Sequence, residues 1–82
     1  RILVLDDESS ILELLGQHLT EEGYECELFT SAVAALGTLK TRRFDLLVTD
    51  LKMPEIHGLD VVMQAKQIDE EMAVIVVTAL LE

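Results

Sequence analysis

Four short apolar runs, separated by three stretches of helical period, constrain this chain more than any other feature. The runs are residues 2–5, 24–29, 44–49 and 72–77. The first, Ile2-Leu3-Val4-Leu5, and the last are apolar throughout, which suits strands covered on both faces, as in a parallel sheet. The second alternates, with Tyr24, Cys26 and Leu28 on one side and Glu25, Glu27 and Phe29 on the other, which places it near a sheet edge. Between the runs, the spacing predicts helices over 11–22, 32–40 and 59–68. Ser9-Ser10 are candidate N-caps of the first and Thr30-Ser31 of the second. Gly23 stands where a helix C-terminus places a left-handed residue. The predicted inward faces are Ile11, Leu12, Leu15 and Leu19, then Val33, Leu36 and Leu39, then Val62 and Ala65 flanked by Leu59. Residues 51–58 form a loop marked by Pro54 and Gly58. The order β-α-β-α-β-α-β predicts a doubly wound α/β domain, a parallel sheet with helices on both faces and right-handed crossovers.

Eighty-two residues make one domain at most. With two Phe, one Tyr and no Trp, the core must be built from Leu, Val and Ile. Sixteen acidic residues against six basic ones give a net charge of −10. That balance opposes binding to nucleic acid and to anionic lipid, and favours divalent cations and basic partner surfaces. The acids are scattered, which argues for solvated faces and against a disordered acidic tail. No stretch approaches the ~18 apolar residues of a membrane span. Cys26 is the single cysteine, so no internal disulfide can form, and a reducing, cytoplasmic setting is expected. Because Arg1 opens directly onto an apolar run, a few residues are expected to precede it.

Three of the four runs end in polar residues able to do phosphate chemistry: Asp6-Asp7, Asp50 and Thr78. In a parallel sheet all strand C-termini share one rim, where open α/β sheets bind ligands. Three carboxylates at one rim repel each other unless a cation joins them. Magnesium fits, since it takes oxygen ligands and is held by one or two carboxylates together with phosphate oxygens. A carboxylate beside the ion can act as a nucleophile and form an acyl phosphate. Asp50, alone at the end of a central apolar strand, is the candidate nucleophile. The adjacent Asp6 and Asp7 suit cation holding, and the Thr78 hydroxyl can donate to a phosphoryl oxygen. Each feature has a plainer reading. Asp6-Asp7 could be acids favouring a helix start, Asp50 a turn residue, and Thr78 an ordinary strand end; their joint placement favours the site. His18 reads as a packed or rim histidine, His57 as a turn residue near the site, Cys26 as a small buried hydrophobe, and Met53-Pro54 as loop geometry.

The segments Ile2-Leu3-Val4-Leu5-Asp6-Asp7-Glu8, Phe44-Asp45-Leu46-Leu47-Val48-Thr49-Asp50-Leu51-Lys52-Met53-Pro54, Gly58-Leu59 and Ala73-Val74-Ile75-Val76-Val77-Thr78-Ala79 together resemble the receiver domain of two-component response regulators. The resemblance spans the chain. It implies a flavodoxin-like fold with strand order 2-1-3-4. It also implies that Asp50 takes a phosphoryl group from a sensor histidine kinase or phosphotransfer protein, and that Asp7, Asp50 and the Lys52 backbone carbonyl bind Mg2+ directly, with Asp6 acting largely through water. Thr78, followed by Ala79, would turn toward the phosphoryl group and carry the switch to an output domain elsewhere in the protein. Such a domain is a signalling switch with slow self-dephosphorylation at most.

The family continues with a fourth helix, a fifth strand bearing a phosphoryl-pairing lysine, and a fifth helix. Residues 1–82 are therefore expected to be a receiver domain incomplete at its C-terminus. Lys40, Lys52 and Lys66 do not stand where that lysine would. The run 73–77 would then be a sheet edge without a charge or proline to protect it, and a dimer or segment exchange through it is expected. Two other functions compete. An aspartyl-phosphate phosphatase or phosphotransferase would carry a second Asp two residues after the nucleophile, where this chain has Lys52. A receiver-like interaction module would not be phosphorylated at all.

Overall fold

The computed structural model describes residues 1–77. Its elements are β1 (Ile2–Leu5), α1 (Ser9–Glu21), β2 (Cys26–Phe29), α2 (Ala32–Leu39), β3 (Leu46–Asp50), α3 (Gly58–Ile68) and β4 (Ala73–Val77). All strand pairings are parallel and the order is β2-β1-β3-β4, as expected from the alternation of strands and helices.

Side chains alternate across the sheet, so one strand serves two cores. Leu3, Leu5 and Leu47 face α2 and α3 and pack with Ala35, Leu36, Leu39, Phe44, Val61 and Ala65. Ile2, Val4 and Val48 face α1 and pack with Leu12. All four β1 residues are buried. Each large side chain so placed contributes roughly 1.5–3 kcal/mol of transfer free energy.

The helices form where predicted, but their inner faces differ. α1 begins at Ser9, with Glu8 as an N-cap that makes no side-chain cap bond, so Ser9 and Ser10 lie inside the first turn. The reason is local: the Asp6 carboxylate accepts from the Glu8 amide at 2.9 Å and closes the turn early. Ile11 is left exposed while Leu12 and Gly16 are buried. A Cβ on Gly16 would stand 2.8 Å from Leu28 Cδ1, so the missing side chain lets α1 lie close on β2. In α2, Val33 is 73% exposed, and Ala32, Ala35, Leu36 and Leu39 face inward. The small alanines allow close packing against the sheet and α3. In α3, Val61 is fully buried rather than Val62. That helix starts one residue early, capped by His57, whose side chain accepts from the Leu59 amide.

Gly23 ends α1 as predicted, at φ 98°. Its amide donates to the Thr20 carbonyl at 3.0 Å and that of Tyr24 to the Leu19 carbonyl at 3.1 Å, the paired bonds of a Schellman cap. That cap holds Tyr24 out of β2, which starts at Cys26, and Tyr24 is exposed. Cys26 is only half-buried.

Among the described residues β4 pairs with β3 alone. Its residues alternate: Ala73, Ile75 and Val77 are exposed, Val74 and Val76 half-buried. Register places the exposed three beside Leu46, Val48 and Asp50, on the face where α1 packs mainly over β1 and β2. The expected burial of this run on both faces is therefore not met. No helix of the described residues is long and apolar enough to cross a membrane.

Candidate functional site

The chain leaves β1 for β2 on one side and later returns to β3 on the other. The crevice at the C-terminal ends of β1 and β3 is thus the point where strand order reverses, the usual ligand position in open α/β sheets. Leu5 is level with Thr49, so the next step of the register brings Asp6 level with Asp50. Asp7 follows in the turn. Carboxylate oxygens of Asp6, Asp7 and Asp50 all lie within 4.8 Å of one another.

The three are not equivalent. Asp6 is 5% exposed, and its carboxyl also holds the Glu8 amide. Burial pushes this carboxyl above its ordinary range; the Glu8 amide opposes that, and the negative charges of Asp50 and Asp7 reinforce it. Asp50 is half-buried and Asp7 exposed. Two oxygens on one Mg2+ sit at most about 4.2 Å apart. A set spanning up to 4.8 Å therefore fits one ion with a link through water or a small side-chain rotation. The donor set is all oxygen and strongly anionic, which suits a hard divalent cation.

The loop after β3 is tied down at both ends. The Leu51 amide donates to the Val77 carbonyl at 3.1 Å, and the Gly58 amide to the Leu51 carbonyl at 2.7 Å. A Cβ on Gly58 would stand 2.7 Å from Leu51 Cα and press on the Asp50 carbonyl, so a side chain there displaces the end of β3. Met53 and Ile56 pack against the α2–α3 core, and the Glu55 carboxylate accepts from the Ala32 amide at 2.8 Å. Lys52 is exposed and lines, with residues 53–57, a shallow pocket of about 420 Å³.

The structure therefore brings together Asp6, Asp7 and Asp50, with Lys52 two residues on. Val77, level with Asp50, is the last described residue; Thr78 and Ala79 lie outside the described residues. His18 is exposed in the last turn of α1 rather than packed. The roles of Glu55, His57 and Gly58 escaped the sequence reading. His57 is not an ordinary N-cap residue type, and Glu55 reaches a partner 23 residues away, which no local pattern reveals.

Residues 2–82 match the model of the response regulator receiver domain. This chain belongs to that family. Receiver domains are signalling switches of two-component systems. The response regulator MprA of Mycobacterium avium (strain 104) is 38% identical over 79 residues, 96% of this chain and 35% of that protein. The receiver thus spans about a third of the length of the first curated relatives it matches. A CheY-like receiver domain protein from Methanospirillum hungatei JF-1 superposes with a TM-score of 0.93 at 33% identity, over all of this chain and 66% of that one. TrrA of Thermotoga maritima, solved with Mg2+-BeF, gives 0.92 at 39% identity, over 98% of this chain and 70% of that one. TrrA has also been solved in complex with the histidine kinase ThkA, with a TM-score of 0.91 at 38% identity, covering this chain fully and 71% of the matched chain.

Proposed function

We propose that this receiver accepts a phosphoryl group on Asp50, and that Asp7, Asp50 and the Lys52 carbonyl hold Mg2+ directly while Asp6 acts largely through water. The observation that carries the reading is the convergence of three carboxylates at the strand-order reversal. Asp50 suits attack best. Asp6 is engaged by the Glu8 amide and Asp7 lies exposed in the turn, whereas Asp50 is half-buried on a backbone held by β4 and by the close approach of Gly58.

In the transfer, an Asp50 carboxylate oxygen bonds to phosphorus as the P–N bond of the donor's phosphohistidine breaks. The electron pair stays on the imidazole nitrogen, which takes a proton from solvent. Mg2+, when bound, supplies neutralisation of the phosphoryl charge. Asp6 and Asp7 orient that charge, and the tied loop keeps Asp50 in line. The ThkA–TrrA complex supports a sensor histidine kinase or phosphotransfer protein as donor. The relatives' greater length supports an output domain in the same protein. In this reading residues 1–82 belong to one receiver unit working in the cytoplasm. Thr78, followed by Ala79, reads the phosphoryl group, whose charge shifts a two-state equilibrium. Among the described residues β4 pairs only with β3, and in this reading a second copy of the chain pairs along its other side.

The test is phosphorylation of the full-length protein by acetyl phosphate with Mg2+, followed by intact mass. One added phosphoryl group, lost in Asp50→Asn and on chelation of the metal, is expected. No adduct under any donor overturns the reading and leaves the interaction module. Turnover of many donor molecules per chain points to an enzyme instead.

A further inference from the structure

The loop that follows Asp50 reaches the rest of the molecule by one side-chain hydrogen bond from residues 51–56, among the described residues. It is the bond from the Ala32 amide to Glu55 Oε1, at 2.8 Å. Ala32 is the first residue of α2. An N-cap side chain can serve the second or third amide of a helix but not the first. Ser31 does this for Ala34, at 3.2 Å. The Ala32 amide is 1% exposed with its residue and needs an acceptor from elsewhere. Glu55 supplies it, with a negative charge that the positive end of the helix favours. Met53 and Ile56, partly buried against the α2–α3 core, flank it and aim the strut.

We propose that Glu55 is a positioning residue for the metal site. Resting on the Asp50–Mg2+ reading above, the inference is that the Glu55–Ala32 bond holds the loop so that the Lys52 carbonyl faces the carboxylates. Coupling is reciprocal. A loop ordered by Mg2+ must therefore hold the α2 N-terminus more tightly.

The experiment is titration of the full-length protein with Mg2+ alone, by calorimetry, together with hydrogen exchange at the Ala32 amide. Glu55→Ala is expected to weaken Mg2+ binding roughly tenfold, the scale of groups that orient metal ligands. Glu55→Gln, which keeps an acceptor oxygen, restores most of the affinity. Glu13→Ala removes one exposed acid elsewhere and leaves it unchanged. In the wild type Mg2+ slows exchange at Ala32, and in Glu55→Ala it does not. Wild-type affinity in Glu55→Ala overturns the proposal, as does a Gln variant as weak as the Ala variant. If Glu55→Ala does not fold, the wild-type amide decides: exchange at Ala32 indifferent to Mg2+ overturns the proposal. Asp50→Asn separates the two readings. Mg2+ binding lost in Asp50→Asn but untouched in Glu55→Ala sinks only the role of Glu55; binding untouched in Asp50→Asn sinks the site itself, and this inference with it.

Discussion

The inner strands β1 and β3 and the outer strands β2 and β4 are made of similar residues and live in different worlds. Leu3, Val4 and Leu47 are fully buried, whereas Leu28 of β2 is 40% exposed and Ile75 of β4 is 51% exposed. The inner pair is clamped between α1 on one face and α2 with α3 on the other. The candidate chemistry follows the same division: Asp6 and Asp50 stand at the ends of the inner strands, where the backbone has least freedom. A parallel sheet thus provides both a rigid place for a site and edges that must be managed. Among the described residues the two outer strands are managed differently. β2 carries Glu27, which forms a two-pronged pair with Arg42, and Arg42 lies 5.6 Å over the Phe44 ring. β4 carries no charge from Ala73 to Val77.

This contrast can be broken in four places. Leu47→Ala, on an inner strand, should lower stability by about 3 kcal/mol in chemical denaturation; a loss as small as that of Ile75→Ala would erase the distinction. Gly58→Ala, which presses on the end of β3, should cost roughly 2 kcal/mol. It should also reduce Asp50 phosphorylation by acetyl phosphate, since the new Cβ must displace Leu51; a stable variant with normal labelling would remove the constraint. Ile75→Lys, on the outer strand, should change stability by no more than about 0.5 kcal/mol yet reduce self-association in light scattering. A wild type that is monomeric at high concentration would refute pairing through β4 outright.

The smallest effect is at the β2 edge. The hydrogen bond from Arg42 holds the Glu27 carboxyl below its ordinary range. A lowered carboxyl stabilises the fold at pH above its unfolded value, and that contribution is lost as pH falls through the lowered one. Arg42→Ala should therefore be slightly less stable than wild type at neutral pH, with the difference vanishing in acid. Arg42 is exposed and Glu27 half-buried, so the gap should also shrink in high salt. A difference that grows in acid would contradict the assignment.

What the residues alone determined is the class of fold and the rim at which the acids gather. Alternating apolar runs and helical periods admit few architectures, and an Asp at the end of a strand stays at that end wherever the strand lies. Leu36, Leu39 and Ala65 are buried as the sequence predicted, but it also pointed to Val33 and Val62 where the structure buries Ala35 and Val61. Hydrophobic size suggests which residues could be inside, but the distance and rotation between packed elements decide which are; in α2 close packing takes the smaller Ala35, and in α3 the rotation of the helix selects Val61 over an identical Val62. Tertiary structure alone decided that Ala73, Ile75 and Val77 of the apolar run 73–77 are exposed while Val74 and Val76 are half-buried. It alone gave Glu55 a partner on α2. Both outcomes depend on contacts between segments far apart in the chain, and no local pattern carries that information.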